Sequence, residues 1–279
     1  MIIKEAIQAG HAIVNNSLVV NMILSHVIKK EKSYLISHSE ERLENIEYKR
    51  FVSLLHRIQT GEPAAYIIGK KEFFYIDFFV DKNVLIPRPE TEHLVEEIIG
   101  LVKRNFGNRR VRILDMGTGS GNIAVSLALN IKNSLITAAD VSKPALAVAK
   151  KNIKRHMLED KIKLVYSDLL NEINDEFDII VANLPYIGRT ENNFIAKEVE
   201  NNEPHLALFG GANGLELYAK LFTQIRKKNC VTGYLLGEIG FSQKKGLNIL
   251  LKKHFPLFNY RVSKDLAGFD RYFVVNCYK

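Results

Sequence analysis

Residues 111–140 read VRILDMGTGSGNIAVSLALNIKNSLITAAD: a short apolar run, a glycine-rich turn, an apolar helical stretch and a second β-branched run. Strand, turn, helix and strand in this order are typical of a βαβ unit. The alternation continues through KPALAVAKKNIKRH, KIKLVYSD and FDIIVAN. The sequence therefore predicts an α/β domain with a doubly wound, mostly parallel sheet over residues 91–279.

The last part of the chain is predicted to extend this sheet. GLELYAKLFTQIRKK and SQKKGLNILLKKHF have helical periodicity, and YLLGEIG between them is predicted as a strand. The tail FNYRVSKDLAGFDRYFVVNCY contains two more β runs around Asp265 to Asp270. We expect these runs to form an antiparallel C-terminal hairpin on the sheet edge.

The first 72 residues have a different pattern. Apolar residues recur at three-to-four spacing in NSLVVNMILSHVI and again from Leu43 to Ile58, which predicts a small all-helical domain over residues 1–72. Residues 73–90 contain two aromatic and β-branched runs, and we expect a β-hairpin linker with its turn at Asp81-Lys82-Asn83. Thr91 is predicted to cap the next helix.

The composition narrows the class of protein. Lys and Arg number 39 against 31 Asp and Glu, and the net charge of +8 suits a partner rich in phosphate or acidic side chains, although the basic residues are scattered. The two cysteines lie at no metal-ligand spacing, so we expect no metal and a reducing compartment. The sequence shows no signal peptide and no stretch of membrane-spanning length, so we expect a cytoplasmic protein without a membrane partner.

The turn DMGTGSGN lies where the first strand passes into a helix, which is the place where a nucleotide-type ligand meets a doubly wound sheet. Its GxGxG spacing lacks the later glycine of the dinucleotide fingerprint, and the chain contains no P-loop string. A pyrophosphate clamp is therefore disfavoured. The candidate cofactor-binding residues of the turn are Gly117, Thr118, Gly119, Ser120 and Gly121.

Two aspartates follow at the ends of the next strands. Asp140 lies about twenty residues beyond the glycine turn, where a carboxylate can accept both hydroxyls of a ribose. Asp168 is placed to reach an adenine amino group, with Leu169 beside the ring. A strand-ending aspartate alone is also typical of a helix cap. Together with the glycine turn, the set favours an adenosine-bearing cofactor.

The fourth strand leads into NLPY, Asn183 to Tyr186, at the same edge of the sheet. The string is compatible with a simple strand-ending turn, but it also suits the binding of a planar nitrogen group. Such a nitrogen attacks poorly unless acceptors orient its hydrogens, and the Asn183 side-chain oxygen and the Leu184 carbonyl are candidate acceptors. Pro185 would keep the turn rigid, and the Tyr186 ring would pack on the flat group. The electrophile would be a sulfonium methyl. No general base is then required in the ground state, because the positioned acceptors stabilise the positive charge that grows on the nitrogen.

These motifs resemble those of S-adenosylmethionine-dependent amino-group methyltransferases with the [DNS]-x-P-[YFW] motif, which have the Rossmann-like class I methyltransferase fold. More narrowly, the chain resembles the release-factor glutamine methyltransferases, the HemK/PrmC family. The resemblance covers almost the whole chain through GEPAAYIIGKKEFF, VLIPRPETEHLVE, ILDMGTGSGNIA and NEPHLALFGGANGLELY. It implies transfer of a methyl group from S-adenosyl-L-methionine to the glutamine side-chain amide in the GGQ loop of class-1 peptide chain release factors, in translation termination.

The resemblance also implies roles for single residues. Gly117 to Gly121 and Asp140 would hold the cofactor, Asn183 would touch cofactor and substrate, and Asn183 to Tyr186 would hold the glutamine. The candidate catalytic residues are then Asn183, Pro185 and Tyr186, and the helical domain would recognise the release factor. The family usually has NPPY, so Leu184 is a departure that keeps the backbone carbonyl but loosens the turn.

Two other functions remain open at this stage. An adenine amino-group methyltransferase acting on RNA or DNA would also use NLPY and suit the positive charge. The N-terminal position of the helical domain, the RPETE string and the lack of a basic-aromatic run favour the release-factor reading, with no direct nucleic acid partner. A non-catalytic binding module has no feature in its favour. We expect a monomer.

Overall fold

The computed structural model describes residues 1–190 and 195–278. The chain divides into two compact units. The first unit contains Met1–Lys70 together with Ala196–Asn202, and the second contains the rest of the described chain. In the described residues no helix has the length and apolar character needed to cross a membrane.

The first unit is helical, as the three-to-four spacing predicts. Its core is formed by apolar residues such as Val20, Phe51 and Leu55, all fully buried. A Cβ atom on Gly10 would approach the side chains of Phe51 and Val20 to 2.8 Å, so this glycine allows the first helix to pack closely. Its helices are α1 Ile3–Ile13, α2 Ser17–Ile28, α3 Lys32–Ser37, α4 Asn45–Gln59 and α5 Ala64–Ile68.

The predicted β-hairpin exists, but its turn is not at Asp81 to Asn83. Strands β1 (Lys71–Phe73) and β2 (Ile76–Phe78) pair antiparallel around Phe74 and Tyr75, whose φ angles are 50° and 61°. Two aromatic residues in the left-handed region are unusual, and this explains why the sequence pattern placed the turn at the more polar string. Asp81 instead closes a local turn by accepting the N–H of Asn83 at 2.9 Å.

The sheet of the second unit has seven strands in the order β10-β11-β9-β6-β3-β4-β5. Strands β3, β4, β5, β6 and β9 run parallel, while β11 pairs antiparallel with β9 and β10 pairs antiparallel with β11. The mostly parallel sheet and the antiparallel C-terminal hairpin are both confirmed. The strands are β3 Val111–Met116, β4 Ser134–Asp140, β5 Ile162–Tyr166, β6 Phe177–Ala182, β9 Val231–Glu238, β10 Asn259–Lys264 and β11 Asp270–Asn276. A separate parallel pair is formed by β7 Ile187–Gly188 and β8 Phe209–Gly211.

Apolar layers cover both faces of the sheet, as a doubly wound sheet requires. One layer includes Val95 and Ile123, and the other includes Phe222 and Leu247. Because the five parallel strands point the same way, the loops after them converge on one edge of the sheet. The remaining helices are α6 Glu92–Asn105, α7 Asn122–Asn130, α8 Lys143–Arg155, α9 Lys197–Asn202 of the first unit, α10 His205–Leu208, α11 Glu216–Lys228 and α12 Lys244–His254.

Candidate active site

A cavity of about 430 Å³ lies in the second unit, where the parallel strands end. Most of the residues that the sequence singled out line it together. These are Gly117, Thr118, Gly119, Ser120, Asp140, Asp168, Leu169, Asn183, Leu184 and Pro185. Among the described residues, Gly121 and Tyr186 are the two predicted site residues that are not part of the lining.

The glycine turn between β3 and α7 needs its glycines for conformation and for space. Gly117, Gly119 and Gly121 have φ angles of 74°, 55° and 81°, in the region that side chains rarely adopt. A Cβ atom on Gly117 would come within 3.2 Å of Leu184. A Cβ atom on Gly121 would lie 3.4 Å from the Cβ of Ala149 in α8. Gly121 therefore allows the turn to pack against α8.

Asp140 ends β4 and is held by backbone N–H groups. Its Oδ2 accepts the N–H of Gly119 at 2.9 Å, and its Oδ1 accepts the N–H of Ser142 at 2.8 Å. Burial raises the pKa of this carboxyl, and the backbone hydrogen bonds oppose the rise. Each oxygen keeps a further lone pair, so a fixed carboxylate in the cavity wall can accept two hydroxyls, as a ribose requires.

Asp115, at the end of β3, is a buried acid that the sequence analysis did not assign to the site. Its Oδ2 accepts from the Thr118 hydroxyl at 2.6 Å and from the Ala124 N–H at 3.2 Å. Its Oδ1 is buried and has no hydrogen-bond partner in the described chain. Burial raises the pKa of Asp115 to about 7. Asp115 is not part of the cavity lining, so its unpaired oxygen lies beneath the glycine turn and not at the binding surface.

Asp168 and Leu169 follow β5. Asp168 Oδ2 lies 2.6 Å from Lys220 Nζ, and both side chains are half exposed. Leu169 is buried with a φ of 50°, a conformation that is strained for a leucine, and the Ser167 hydroxyl donates to its carbonyl at 2.6 Å. The strained turn presents an apolar side chain and a carboxylate to the same cavity, and this pair suits a ring with an amino group.

Asn183 begins the NLPY turn at the end of β6. Its Nδ2 donates to Thr91 Oγ1 at 3.0 Å, and no residue that the structure describes donates to its Oδ1. Thr91 makes no cap hydrogen bond to α6, so its predicted capping role is wrong. The hydroxyl is already engaged because it donates to Glu238 Oε2 at 2.7 Å.

Tyr186 ends the NLPY turn and is not part of the cavity lining. The hydroxyl donates to Glu238 Oε1 at 3.1 Å. Burial, and after it the charge of Glu238, raises the pKa of Tyr186 well above its ordinary value. The sequence pattern placed Glu238 only in the predicted strand YLLGEIG. The sequence signal that could have indicated more is an acidic residue that ends the apolar run YLLGE at the same sheet edge.

The NLPY turn is packed tightly against residues 209–214. A Cβ atom on Gly210 would lie 2.0 Å from the Pro185 carbonyl oxygen, and one on Gly214 would lie 2.0 Å from the Tyr186 carbonyl oxygen. Gln243 Nε2 also donates to the Tyr186 carbonyl at 2.7 Å. Close backbone contact therefore makes the turn rigid even though it has a single proline.

The NEPH segment contributes a structural ion pair. Glu203 is buried, and its two oxygens accept from Arg88 Nη2 at 2.5 Å and from the Ile86 N–H at 3.0 Å. Arg88 lines the cavity. Glu203 thus connects the chain before α6 to the chain before α10.

A doubly wound sheet with a glycine turn, an acid after the second strand and an Asn-x-Pro-Tyr turn defines a class I methyltransferase, an enzyme whose methyl donor is S-adenosyl-L-methionine. Residues 98–210 match the family model described as methyltransferase small domain, and residues 5–69 match the PrmC N-terminal domain. The chain belongs to the release factor glutamine methyltransferase family, the protein-glutamine N-methyltransferases that the sequence motifs resemble.

Relatives agree with this assignment, and a solved structure shares the fold. The chain is 37% identical to the release factor glutamine methyltransferase of Koribacter versatilis over 90% of its own length and 87% of that protein. It is 41% identical to a bifunctional methyltransferase of Rickettsia typhi, covering 80% of this chain and 46% of that longer protein. A methyltransferase from Pyrococcus furiosus has the same fold, with a TM-score of 0.54 and 18% identity over 81% of this chain and 99% of that one.

Proposed function

We propose that this protein transfers a methyl group from S-adenosyl-L-methionine to the side-chain amide nitrogen of the glutamine in the GGQ loop of class-1 peptide chain release factors. The observation that carries the proposal is the state of Asn183. Its Nδ2 is engaged by Thr91, and its Oδ1 is left as an acceptor in the cavity wall. An acceptor at this place selects a substrate nitrogen that carries hydrogens.

The residues around the cavity fit the cofactor in type and placement. Gly117 and Gly119 allow close approach of the backbone, Asp140 offers its free lone pairs to the ribose hydroxyls, and Asp168 with Leu169 suits the adenine ring. When bound, S-adenosyl-L-methionine supplies an electrophilic methyl on a sulfonium. Thr118, Ser120 and Gly121 complete the turn, and Gly121 acts through the packing of α8.

The chain's own contribution to the reaction is to orient the substrate amide. Asn183 Oδ1 and the Leu184 carbonyl accept the two amide hydrogens, which localises the nitrogen lone pair and directs it at the methyl group. As the nitrogen bonds to the methyl group and becomes positive, the same two acceptors stabilise its charge. The nitrogen then loses one proton to water, and the sulfonium, having given up the methyl group, is left as a neutral thioether. Pro185 and Tyr186 keep the acceptors in place, because their carbonyls are packed against Gly210 and Gly214.

The proposal extends to partners and location. The helical unit recognises the release factor outside the GGQ loop, the enzyme acts as a monomer in the cytoplasm, and it needs no nucleic acid. The runner-up is methylation of an adenine amino group in RNA or DNA. Both substrates offer a planar nitrogen, so the distinction rests on the family membership and on the helical unit, whose sequence matches the PrmC N-terminal domain.

A labelling experiment tests the proposal. The protein is incubated with methyl-labelled S-adenosyl-L-methionine and with a release factor, its GGQ-loop Gln→Ala variant, or ribosomal RNA. We expect label on the unmodified release factor alone. Label on the RNA, or label that persists on the Gln→Ala variant, would overturn the proposal.

Asn183→Ala is the matching change in the enzyme. We expect the rate of transfer to fall at least about 100-fold, because one of the two acceptors for the amide is lost. Circular dichroism and thermal unfolding should show an intact fold, since the Asn183 side chain is half-buried at a turn. A variant that retains full transfer would remove Asn183 from the mechanism.

A further inference from the structure

A line of hydrogen bonds leads from the cavity wall into the protein core. Asn183 Nδ2 donates to Thr91 Oγ1, and the Thr91 hydroxyl donates to Glu238 Oε2. Tyr186 donates to the other oxygen, Glu238 Oε1. Thr91 and Glu238 are each 1% exposed. Glu238 is not among the described residues that line the cavity. Glu238 can therefore influence a substrate only through its neighbours.

The donor and acceptor properties of these side chains fix the direction of each hydrogen bond in this line. An ionised carboxylate only accepts hydrogen bonds, so the single hydroxyl proton of Thr91 must point to Glu238. Thr91 Oγ1 then has only lone pairs left for Asn183, and only the NH₂ end of the carboxamide can use them. The two ends of a carboxamide have nearly the same shape, so packing alone would not choose between them.

The charges near Glu238 support its role as an acceptor. Burial raises the pKa of this carboxyl, while the Thr91 hydroxyl, the charge of Arg271 and the Tyr186 hydroxyl oppose the rise. Arg271 is itself held by Asp265, with 3.0 Å between Nε and Oδ2. A buried acid with two hydroxyl donors and a nearby guanidinium is a satisfied acceptor rather than an isolated charge.

We propose that Glu238 is a positioning residue that sets the orientation of the Asn183 carboxamide through Thr91. The inference rests on the proposed function, in which Asn183 Oδ1 accepts a hydrogen of the substrate amide. If the carboxamide were reversed, its NH₂ group would face the NH₂ group of the glutamine, and two donors would oppose each other. The substrate would still enter the cavity, but its nitrogen would not be directed at the methyl group.

Two substitutions at Thr91 separate the hydroxyl from the side-chain shape. Thr91→Val removes the hydroxyl and keeps the branched shape, so we expect kcat on the release factor to fall about 10- to 100-fold while KM changes less than about threefold. Thr91→Ser keeps the hydroxyl and should restore kcat to within about threefold of the original enzyme. The matched control is Ser134→Ala, which removes a buried hydroxyl bond at the opposite, amino-terminal end of β4 and should leave kcat unchanged.

A double-mutant cycle tests the path through Thr91. Glu238→Leu should lower kcat at least as much as Thr91→Val, because it also removes the acceptor of the Tyr186 hydroxyl. The double variant should lose no more than Glu238→Leu alone, because both changes break the same line through Thr91. Losses of kcat that multiply, or a Thr91→Val enzyme with kcat like the original, would overturn the proposal. The Thr91 pair gives an answer even if Glu238→Leu fails to fold.

The orientation of Asn183 can also be followed without a reaction. The side-chain amide signals of Asn183 in the ¹H–¹⁵N spectrum, assigned by their loss in Asn183→Ala, should shift in Thr91→Val and Glu238→Leu but stay in place in Ser134→Ala. Unchanged signals in the first two variants would contradict the inference. Because this spectrum needs no substrate, it separates a failure of the positioning role from a failure of the proposed function, which the labelling experiment reports.

Discussion

At the scale of the residue, the cavity wall contains fixed acceptors, and a buried acid that is costly to ionise lies beneath the glycine turn next to it. Asp140 and Asn183 are oriented by bonds to Gly119, Ser142 and Thr91, so they meet a ligand without rearrangement. Asp115 lies buried beneath the same turn with one oxygen unpaired in the described chain. A buried oxygen without a hydrogen-bond partner costs folding free energy, and this one lies close to the place where a ligand is expected to bind.

Asp115 should make the stability of the free protein depend on pH. Burial raises its folded-state pKa from 3.8 to about 7, so between these values the folded protein binds more protons than the unfolded chain. The stability associated with this acid is therefore complete below about pH 4 and is lost as the pH rises towards 7. Asp115→Asn should flatten this fall, which urea unfolding midpoints at pH 5 and pH 7.5 would measure. The difference between the two proteins isolates Asp115 from Asp140 and Glu238, whose pKa values are also raised.

Leu184→Pro tests whether the second residue of NLPY contributes more than a carbonyl. Leu184 is 4% exposed and packs in the core cluster that includes Met116 and Leu169. We expect the free energy of unfolding to fall by about 1–3 kcal/mol because apolar contacts are lost. We expect kcat to stay within about threefold, because the backbone acceptor is retained. Leu184→Ala is the control for lost packing, and a proline variant much less active than the alanine variant would show that the ring distorts the turn.

Sequence patterns identified residues that the structure brings together where each residue carries its own local signal. Gly117, Asp140 and Asn183 each lie at or directly after the end of a strand, and all three line the cavity. Thr91 and Glu238 lie 147 positions apart and meet only through the fold. Thr91 was already explained as a helix cap and Glu238 as part of a strand, so nothing in the sequence suggested a contact between them.

At the scale of the element, the mostly parallel sheet and its antiparallel C-terminal hairpin followed from the alternation of β-branched and helical runs, whereas the strand order came only from the structure. The β1–β2 hairpin shows where such reasoning fails. Its turn residues, Phe74 and Tyr75, have φ angles that glycine and asparagine prefer, whereas Asp81 to Asn83 have turn-like composition. Phe74 packs against the core cluster, so tertiary packing overrides the local preference.

Tyr75→Gly should stabilise the hairpin. Tyr75 is 92% exposed and has a φ of 61°, so glycine relieves about 1 kcal/mol of backbone strain with little loss of contact. Tyr75→Ala is the control, because it removes the same side chain and keeps the strain. We expect the glycine variant to unfold at a higher temperature than the alanine variant. Equal melting temperatures would mean that the turn is not strained.

At the scale of the whole molecule, the two compact units divide the work in the proposed function. The second unit contains the cavity and every predicted site residue. The first unit has exposed apolar side chains, including Leu18, Ile36 and Ile46, that its own core does not use. Exposed apolar residues of this size are candidates for contact with a protein partner.

Single aspartate substitutions at Leu18, Ile36 and Ile46 test this division. If the helical unit recognises the release factor, at least one should raise KM for the release factor about tenfold, which corresponds to about 1.4 kcal/mol of binding energy. The affinity for S-adenosyl-L-methionine, measured by calorimetry, should not change. Ile249→Asp on the exposed side of α12 is the control. Unchanged KM in all three variants would assign recognition to the second unit.

Leu184 and Gly117 form a contact with an evolutionary meaning. The leucine side chain lies over the glycine so closely that a Cβ atom at position 117 would come within 3.2 Å of it. A chain with proline at position 184 would leave part of this volume empty, and neighbouring apolar residues would have to fill it. We therefore expect leucine at position 184 to occur together with compensating changes around the glycine turn. Among family members, the residues of the two loops should vary together and not independently.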